Sequence, residues 1–399
     1  MRICLFTPTF LPTAGGAEVV ADTLARGLTD RGHAVTVLTQ RLRRRPPAGL
    51  PYPVAFYRRW PRQHRLPAAP ALALHRLHRR EPLDAVLAFY SYPCGQAAVR
   101  WGRRELRRGR PRPGVVLSPH GGDLYPGFHG LRKPGVPEAI AAGYRGADRI
   151  VSIGDWISGR VREVCAPEPA PPMTVAHNGL DLDAWDAEAA AAEAAPPVVD
   201  GPFTLQLARV TPVKRQDLAV EALARVAPLY RRLGLRHAVV GGGESLPAVR
   251  RRVEELGLGD VALLPGPISG PARGWLYRHA RFFVTTSREE GLPLTVLEAM
   301  ASGLPLLASD IGPHLELLGP DPDASWGRAF ASGDVDACAA AWARMLGADL
   351  PAMRARALRE RRRYTRAAML DGYENALRAS VGDAAAAAAD AGLTRAAAA

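Results

Sequence analysis

"RICLFTPTFLPTAGGAEVVADTLARGLTDRGHAVTVLTQ" (Arg2–Gln40) reads as a strand, a glycine loop, a helix and a second strand. Its first run is apolar and short, as a buried strand requires. Val19, Val20, Leu24 and Leu28 then recur at spacings near 3.6, the period of a helix with one apolar face. Gly32 suits the cap that ends that helix. Further strands are predicted at "DAVLAF" (84–89), "GVVLSPH" (114–120) and "RIVSIG" (149–154), with helical stretches between them. Strands alternating with helices predict an α/β protein with a doubly wound parallel sheet.

A composition break, "DAEAAAAEAAPPVVDGP" (186–202), reads as a connector. A second series starts beyond it, with strands at "FTLQLARV", "RHAVVGGG", "VALLPG", "RFFVTTS" and "PLLASD" separated by helices. The unit repeats but its residues do not, so two Rossmann-like domains are expected, over 1–185 and 203–351. A long Arg-rich helix is expected over 352–380, packing back toward the first domain, and a low-complexity, frayed tail over 381–399. Two such domains in series would leave a cleft at the carboxyl ends of their strands, where open α/β sheets bind ligands.

At 399 residues two domains are the natural division. A hydrophobic share of 47% fits a globular chain, and no apolar run approaches the roughly 18 residues a membrane span needs. Cys4, Cys94, Cys165 and Cys338 are scattered without a C-x-x-C pair, and the chain opens on a strand with no signal-peptide pattern. Reduced thiols in a cytoplasmic protein are therefore expected. The net charge of +13 is uneven. Residues 1–180 hold 27 Lys and Arg against 12 Asp and Glu, a net of +15, and the rest hold 25 against 27, a net of −2. The excess sits in "RLRRR" (41–45), "LHRLHRR" (74–80) and "RRELRRGRPRP" (103–113). Such a face attracts an anionic membrane or nucleic acid, or is a solvated surface in an arginine-rich chain.

Polar residues gather after the strands of the second domain. Arg209 follows "FTLQLA" and Lys214 lies five residues on, a fork donor and a point charge suited to a diphosphate. The chain has two lysines, Lys133 and Lys214, against fifty arginines, so a lysine kept at a helix entry draws notice. Gly241, Gly242 and Gly243 follow "HAVV" without matching the dinucleotide fingerprint. In "SREEGLPLTVLEAMASGLPLLASD" (287–310), Pro293 suits the first turn of a helix and Gly303 its end. That places Glu290 in the loop before the helix and Glu298 inside it, with free N–H groups at Leu294 to Val296 to favour an anion. Both carboxylates can accept from sugar hydroxyls, and Glu298 can equally pair with an arginine at a helix contact. In the first domain "LSPHGGDLYP" sets His120 at a strand end and Asp123 three residues on; such a histidine donates to a substrate oxygen, moves a proton, or simply holds the structure.

Read together, "FLPTAGGAE", "PHGGD", "HNGLDLDAW", "ARVTPVKRQDLAVEAL", "VVGGGES", "PGPIS" and the E-x7-E stretch resemble the retaining glycosyltransferases of family 4, which have the GT-B fold of two Rossmann-like domains facing across a cleft. The resemblance runs over nearly the whole chain. It implies a nucleotide-diphosphate sugar as donor, a glycan, lipid-linked or small-molecule acceptor on the first domain, and no metal or other cofactor. Arg209, Lys214 and the backbone at Gly15–Gly16 would hold the diphosphate, and Glu298 the ribose. Glu290, with the backbone of Gly291, Leu292, Pro293 and Leu294, would hold the transferred sugar. Gly243, Gly266 and Ile268 would line the donor site, His120 would contact the sugar at the reacting centre, and Asp123 and Asn178 would lie on the acceptor side. Transfer would retain configuration, the leaving phosphate taking the acceptor proton. The stretches "DLD" (181–183) and "DPD" (321–323) lie outside any expected metal motif, and "EEGLPL" leaves the sugar unnamed. A nucleotide-sugar epimerase or sensor is the alternative within the fold. A nucleic-acid binder using the arginines would leave the two buried-looking glutamates without a purpose.

Overall fold

The computed structural model describes residues 1–13, 15–41, 46–58, 68–192, 196–321 and 324–391. Ala14 of the glycine loop, 42–45 of the first basic cluster, 193–195 of the Ala–Pro stretch, 322–323 of "DPD" and 392–399 of the tail lie outside the described residues. The chain divides into two compact units, Met1–Asn178 with Ala367–Ala399, and Gly179–Arg366.

In unit 1 the described strands are β1 (Arg2–Thr7), β2 (Ala34–Gln40), β3 (Val54–Tyr57), β4 (Ala85–Phe89), β5 (Gly114–Ser118), β6 (Arg149–Ser152) and β7 (Met173–Val175). They form one parallel sheet in the order β3-β2-β1-β4-β5-β6-β7. Helices α1 (Gly16–Asp30), α2 (Ala68–Arg80), α3 (Gln96–Arg107), α4 (Val136–Arg145) and α5 (Asp155–Cys165) make the crossovers. The chain winds outward from β1 to β3, then returns to place β4 on the other side of β1, so the winding reverses between β1 and β4. Ile3–Phe6 and Ala85–Phe89 are wholly buried, as central strands of a sheet covered on both faces must be. On α1 the buried stripe is Val20, Ala21, Leu24, Ala25 and Leu28. Val19, expected on that face, is 48% exposed, because the stripe turns past it by one position.

Unit 2 contains α6 (Leu182–Ala191), β8 (Phe203–Leu207), α7 (Gln216–Leu233), β9 (Arg236–Val240), α8 (Leu246–Glu255), β10 (Ala262–Gly266), α9 (Pro271–His279) and β11 (Phe283–Thr285). It continues with α10 (Leu294–Ala301), β12 (Leu306–Ser309), α11 (Gly312–Leu318), β13 (Gly327–Phe330), α12 (Val335–Leu346) and α13 (Leu350–Glu360). The parallel sheet runs β10-β9-β8-β11-β12-β13, and its winding reverses between β8 and β11. A buried polar chain ties its core: Trp342 Nε1 donates to Tyr230 Oη at 2.8 Å, and the Thr204 hydroxyl lies 2.7 Å from Tyr230 Oη and 2.9 Å from His237 Nδ1.

Two expected boundaries change. The first half of the 186–202 connector is helical, because alanine carries the least helix penalty and Asp181 caps α6 by accepting from Ala184 N at 3.1 Å. The division between the units falls at Asn178–Gly179 instead of at 185. The single helix expected over 352–380 is two, α13 and α14 (Arg366–Asp390), and the second carries the tail in helical form ten residues beyond 380. The break is a pairing of extended backbone: Leu180 N donates to Tyr364 O at 2.9 Å and Arg366 N to Leu180 O at 2.8 Å. A Cβ at Gly179 would lie 2.1 Å from Thr365 O, so glycine is what lets the strands close.

The helix α14 belongs to unit 1, as expected for packing against the first domain. Leu370 fills the notch left by Gly27 on α1, where a Cβ would come within 2.5 Å of its methyl. Around that contact Glu374 takes Arg31 at 2.9 Å and His33 at 3.1 Å, and Arg149 reaches Asp383 at 2.7 Å. Leu370→Ala is expected to cost about 2–5 kcal/mol, the range for emptying a buried leucine site, because Leu370 is 5% exposed. Urea unfolding of the full chain measures it, and a loss below about 1 kcal/mol would show that α14 docks by other contacts.

Candidate active site

The switch point between β8 and β11 is where an open parallel sheet leaves a crevice at its carboxyl end. The loop after β8 and the loop after β11 flank it, and four hydrogen bonds pin them. Gln216 Nε2 donates to Arg209 O at 3.0 Å, Thr286 Oγ1 to Lys214 O at 3.0 Å and to Arg215 O at 2.7 Å, and Arg288 N to Val213 O at 3.0 Å. Held so, Lys214 Nζ donates to Glu290 Oε1 at 2.5 Å. Glu290 is 8% exposed. Burial pushes its carboxyl upward, but Lys214, with His314 and Ser287, holds it below the ordinary carboxylate value. Arg209 is exposed and has no ion-pair partner among the described residues, which leaves its guanidinium available to an anion.

His314 on α11 was not anticipated. It is wholly buried, its Nδ1 lies 3.0 Å from Ser309 O, and its Nε2 has no protein partner among the described residues. Burial pushes it down to about 4, against the pull of Glu290, so it is neutral near pH 7. Nothing in its sequence context marks it, since it depends on β12 and α11 bringing position 314 beneath position 290.

Pro293 stands just before α10 in extended backbone, and Gly303, at φ +67°, closes its far end. Val296 N and Leu297 N both donate to Pro293 O at 3.1 Å. The three free N–H groups expected at Leu294 to Val296 are therefore narrowed, since Val296 is occupied in a tight first turn. Glu298 is buried inside α10 and bound on both oxygens: Tyr277 Oη donates to Oε2 at 2.8 Å and Arg273 pairs with Oε1. Arg273 also lies over the rings of Trp185 and Tyr277, at 5.7 and 5.6 Å. Of the two readings of Glu298, an arginine at a helix contact is the one present. Arg273 and Tyr277 are four apart on α9, the spacing that puts both on one face.

Gly266 ends β10 with its carbonyl accepting from Gly241 N at 2.9 Å, Ile268 is half-buried in the loop beyond, and Gly243 is exposed after β9. Gly241 and Gly243 have φ of 145° and 153°, and a Cβ on either would strike a carbonyl of the β8 loop, at 1.9 and 2.2 Å. The triple glycine thus lets the β9 loop lie against the loop that carries Arg209.

In unit 1, Gly15 precedes α1 and Gly16 starts it, after β1 and beside the reversal of winding. Glu18, the third residue of the helix, folds back under Gly15, where a Cβ would lie 2.2 Å from its Oε2. Thr9 Oγ1 donates to its other oxygen at 2.5 Å. That glutamate is at the position from which such side chains reach back over a helix start, a signal present in "GGAE". His120 lies just beyond β5, stacked on Phe89 at 4.2 Å, with Nε2 3.1 Å from the Ser118 hydroxyl. Burial pushes its pKa down to about 3. Asn178 is buried where the unit ends.

Asp123 is 3% exposed and accepts from Ser91 N at 2.7 Å, Tyr92 N at 3.1 Å and Tyr144 Oη at 3.0 Å. Burial raises it to about 6 against those donors. Its carboxylate braces the turn after β4 from within.

The family models agree with this layout. Residues 14–184 match the model described as Glycosyltransferase Family 4, and residues 190–364 match Glycosyl transferases group 1. The chain belongs to the glycosyltransferases of the GT-B fold. A D-inositol 3-phosphate glycosyltransferase of Mycolicibacterium paratuberculosis is 32% identical over 215 residues, which are 52% of this chain and 46% of that one. The chain spans about half the length of the curated relatives it matches. Among solved structures, Anabaena HepE in complex with UDP aligns with a TM-score of 0.74 at 17% identity, over 95% of this chain and all of that one. Sucrose-phosphate synthase from Thermosynechococcus elongatus aligns at 0.76 and 19%, over 96% and 100%. Each is a likeness of fold.

Removing Lys214 isolates a buried negative charge. Lys214→Ala is expected to destabilise the protein by about 3 kcal/mol at pH 7, as when one partner of a buried pair is lost. In the wild type the lowered pKa of Glu290 contributes stability above the unfolded carboxylate range and loses it as pH falls through the folded value. In the variant burial is opposed only by His314 and Ser287, the carboxyl rises, and the penalty shrinks as pH falls toward 5. Denaturant midpoints at pH 7 and pH 5 test this; equal penalties at both would mean that Glu290 is not the charge Lys214 balances.

Proposed function

We propose that the protein is a retaining glycosyltransferase that takes a sugar from a nucleotide-diphosphate donor bound by unit 2. The observation that carries this reading is the Lys214–Glu290 pair at the switch point, beside an unpaired Arg209. Arg209 and Lys214 would meet the diphosphate and stabilise it as it leaves. The charge on Glu290 makes it an acceptor for hydroxyls of the transferred sugar, next to the backbone of Gly291 to Leu294. Glu298, held by Arg273 and Tyr277, keeps a second lone pair on each oxygen for ribose hydroxyls. Gly243, Gly266 and Ile268 would border the nucleoside end. By the family resemblance, unit 1 would contribute the backbone at Gly15 and Gly16 and His120 to the donor, and Asn178 to the acceptor.

In this reaction the acceptor oxygen attacks the anomeric carbon on the face the diphosphate leaves, and the departing phosphate oxygen takes the proton. No metal is needed in it, since the two cations meet the developing charge. Anabaena HepE was solved with UDP and with UDP-glucose, which supports a nucleotide-sugar donor without naming its base or sugar here. Calorimetric titration with UDP-, GDP- and ADP-sugars tests the donor, and failure of all to bind would end this reading. Arg209→Ala, an exposed change, should weaken the best donor about 10- to 100-fold, as a lost charge-assisted hydrogen bond does, and should leave the fold intact.

The acceptor reading adds location. No described helix is long and apolar enough to cross a membrane. On the paired helices α2 and α3, Arg76, Arg79, Arg80, Arg103, Arg104 and Arg107 are exposed. We take this basic face to hold unit 1 at an anionic, cytoplasmic membrane surface carrying a glycan or lipid-linked acceptor. Flotation with vesicles of anionic lipid should carry the protein upward at low salt and release it at high salt. Equal flotation with neutral vesicles would count against it.

A further inference from the structure

Three buried hydroxyl and imidazole groups of unit 1 form a line. Tyr373 Oη on α14 lies 2.6 Å from Ser118 Oγ at the end of β5, and Ser118 Oγ lies 3.1 Å from His120 Nε2. Tyr373 and Ser118 are wholly buried and His120 is 9% exposed. Neither hydroxyl has another partner among the described residues, so the hydrogens can be counted. If Nε2 carried a proton and gave it to Ser118, either the serine hydrogen or the phenol hydrogen would point at nothing in a buried site. An unsatisfied buried donor is the costly outcome. If instead Tyr373 donates to Ser118 and Ser118 donates to the lone pair of Nε2, every hydrogen and that lone pair are used.

We propose that Ser118, itself braced by Tyr373, holds the His120 ring in the tautomer that carries its proton on Nδ1, so that His120 meets its substrate as a hydrogen-bond donor. This rests on the reading of His120 as a residue of the transferase site. The stack on Phe89 fixes the plane of the ring, and the edge of Tyr90, 5.9 Å away, limits its swing. Burial favours the neutral ring, which has one proton to place. Nδ1–H can donate to a sugar or phosphate oxygen and cannot take a proton from the acceptor hydroxyl. The line therefore removes His120 as general base, and transfer to the leaving phosphate supplies that step. Ser118 is the positioning residue, and Tyr373 contacts it from near the end of the chain.

Long-range proton–nitrogen NMR correlation on the unliganded protein at pH 7 reads the tautomer directly. His120→Gln assigns the signals by their loss. The wild type should show the proton on Nδ1. Tyr373→Phe should keep the proton on Nδ1, because the serine hydrogen then has only the Nε2 lone pair to go to. Ser118→Ala, which removes the donor to Nε2, should let the Nε2-protonated form appear. A wild-type proton on Nε2, or an unchanged tautomer in Ser118→Ala, overturns the proposal. With the donor found by titration, Ser118→Ala should lower kcat about tenfold or more while the donor KM stays within about twofold, as loss of a correctly placed proton does. An unchanged kcat overturns the role in turnover. Because the tautomer is read without substrate, a wild type that binds no nucleotide sugar would sink the transferase reading and leave the relay standing on its own result.

Discussion

A carboxylate withdrawn from water needs a counter-charge, and that requirement organises unit 2. Glu290 is buried after β11 only because Lys214 is delivered to it from the loop after β8. Delivery depends on those strands being neighbours at the reversal of winding, on Thr286 and Arg288 tying the two loops, and on Gln216 pinning the first loop to its own helix. The glycines after β9 let a third loop close against the same place. A charged pair near the surface contributes little to stability, while this one is enclosed, so its value lies in a preset geometry. Lys214 is held against Glu290 with 19% of its side chain exposed, so its position is set by the protein itself.

Three buried polar groups near the strand ends of unit 1, Asp123, Glu18 and His120, are met by neutral partners instead. Asp123 has its charge spread over two backbone N–H groups and a phenol, Glu18 is met by a threonine, and His120 is kept uncharged by burial. The contrast follows the composition. The excess of arginine in this unit stays on the outside of α2 and α3, and the interior beside the strand ends carries little formal charge.

The alternation of strand and helix was legible because ten strands are runs of buried apolar residues bounded by glycine or proline. β3, β7 and β13 were not, being three or four residues long and in part exposed, too short to show a period. The Ala-rich stretch after residue 186 was legible as a break in composition but not as a helix start, although Asp181 was in place to cap it. At the site, Arg209, Lys214 and Glu290 could be found because each lies in the loop that follows a strand. Arg273 and Tyr277 could not be assigned to Glu298 beforehand, nor Tyr144 to Asp123, since those pairings join separate elements. A carboxylate in an apolar segment announces that it has partners and leaves their identity to the tertiary fold.

The same limit explains the end of the chain. α14 has little amphipathic pattern, so its sequence suggests a loosely attached segment. Its attachment lies in glycines on other elements: Gly27 receives Leu370, and Gly114 lies so close to Ser380 that a Cβ would come within 2.4 Å of its hydroxyl. Small residues let backbones approach, and close approach replaces a broad apolar stripe as the source of contact. Ion pairs to Arg31 and Arg149 then fix the helix along its length. A helix seated that closely holds Tyr373 in one place, which a flexible tail could not do. The residues that seem least specified by their own sequence are thus positioned by glycines more than two hundred residues earlier in the chain.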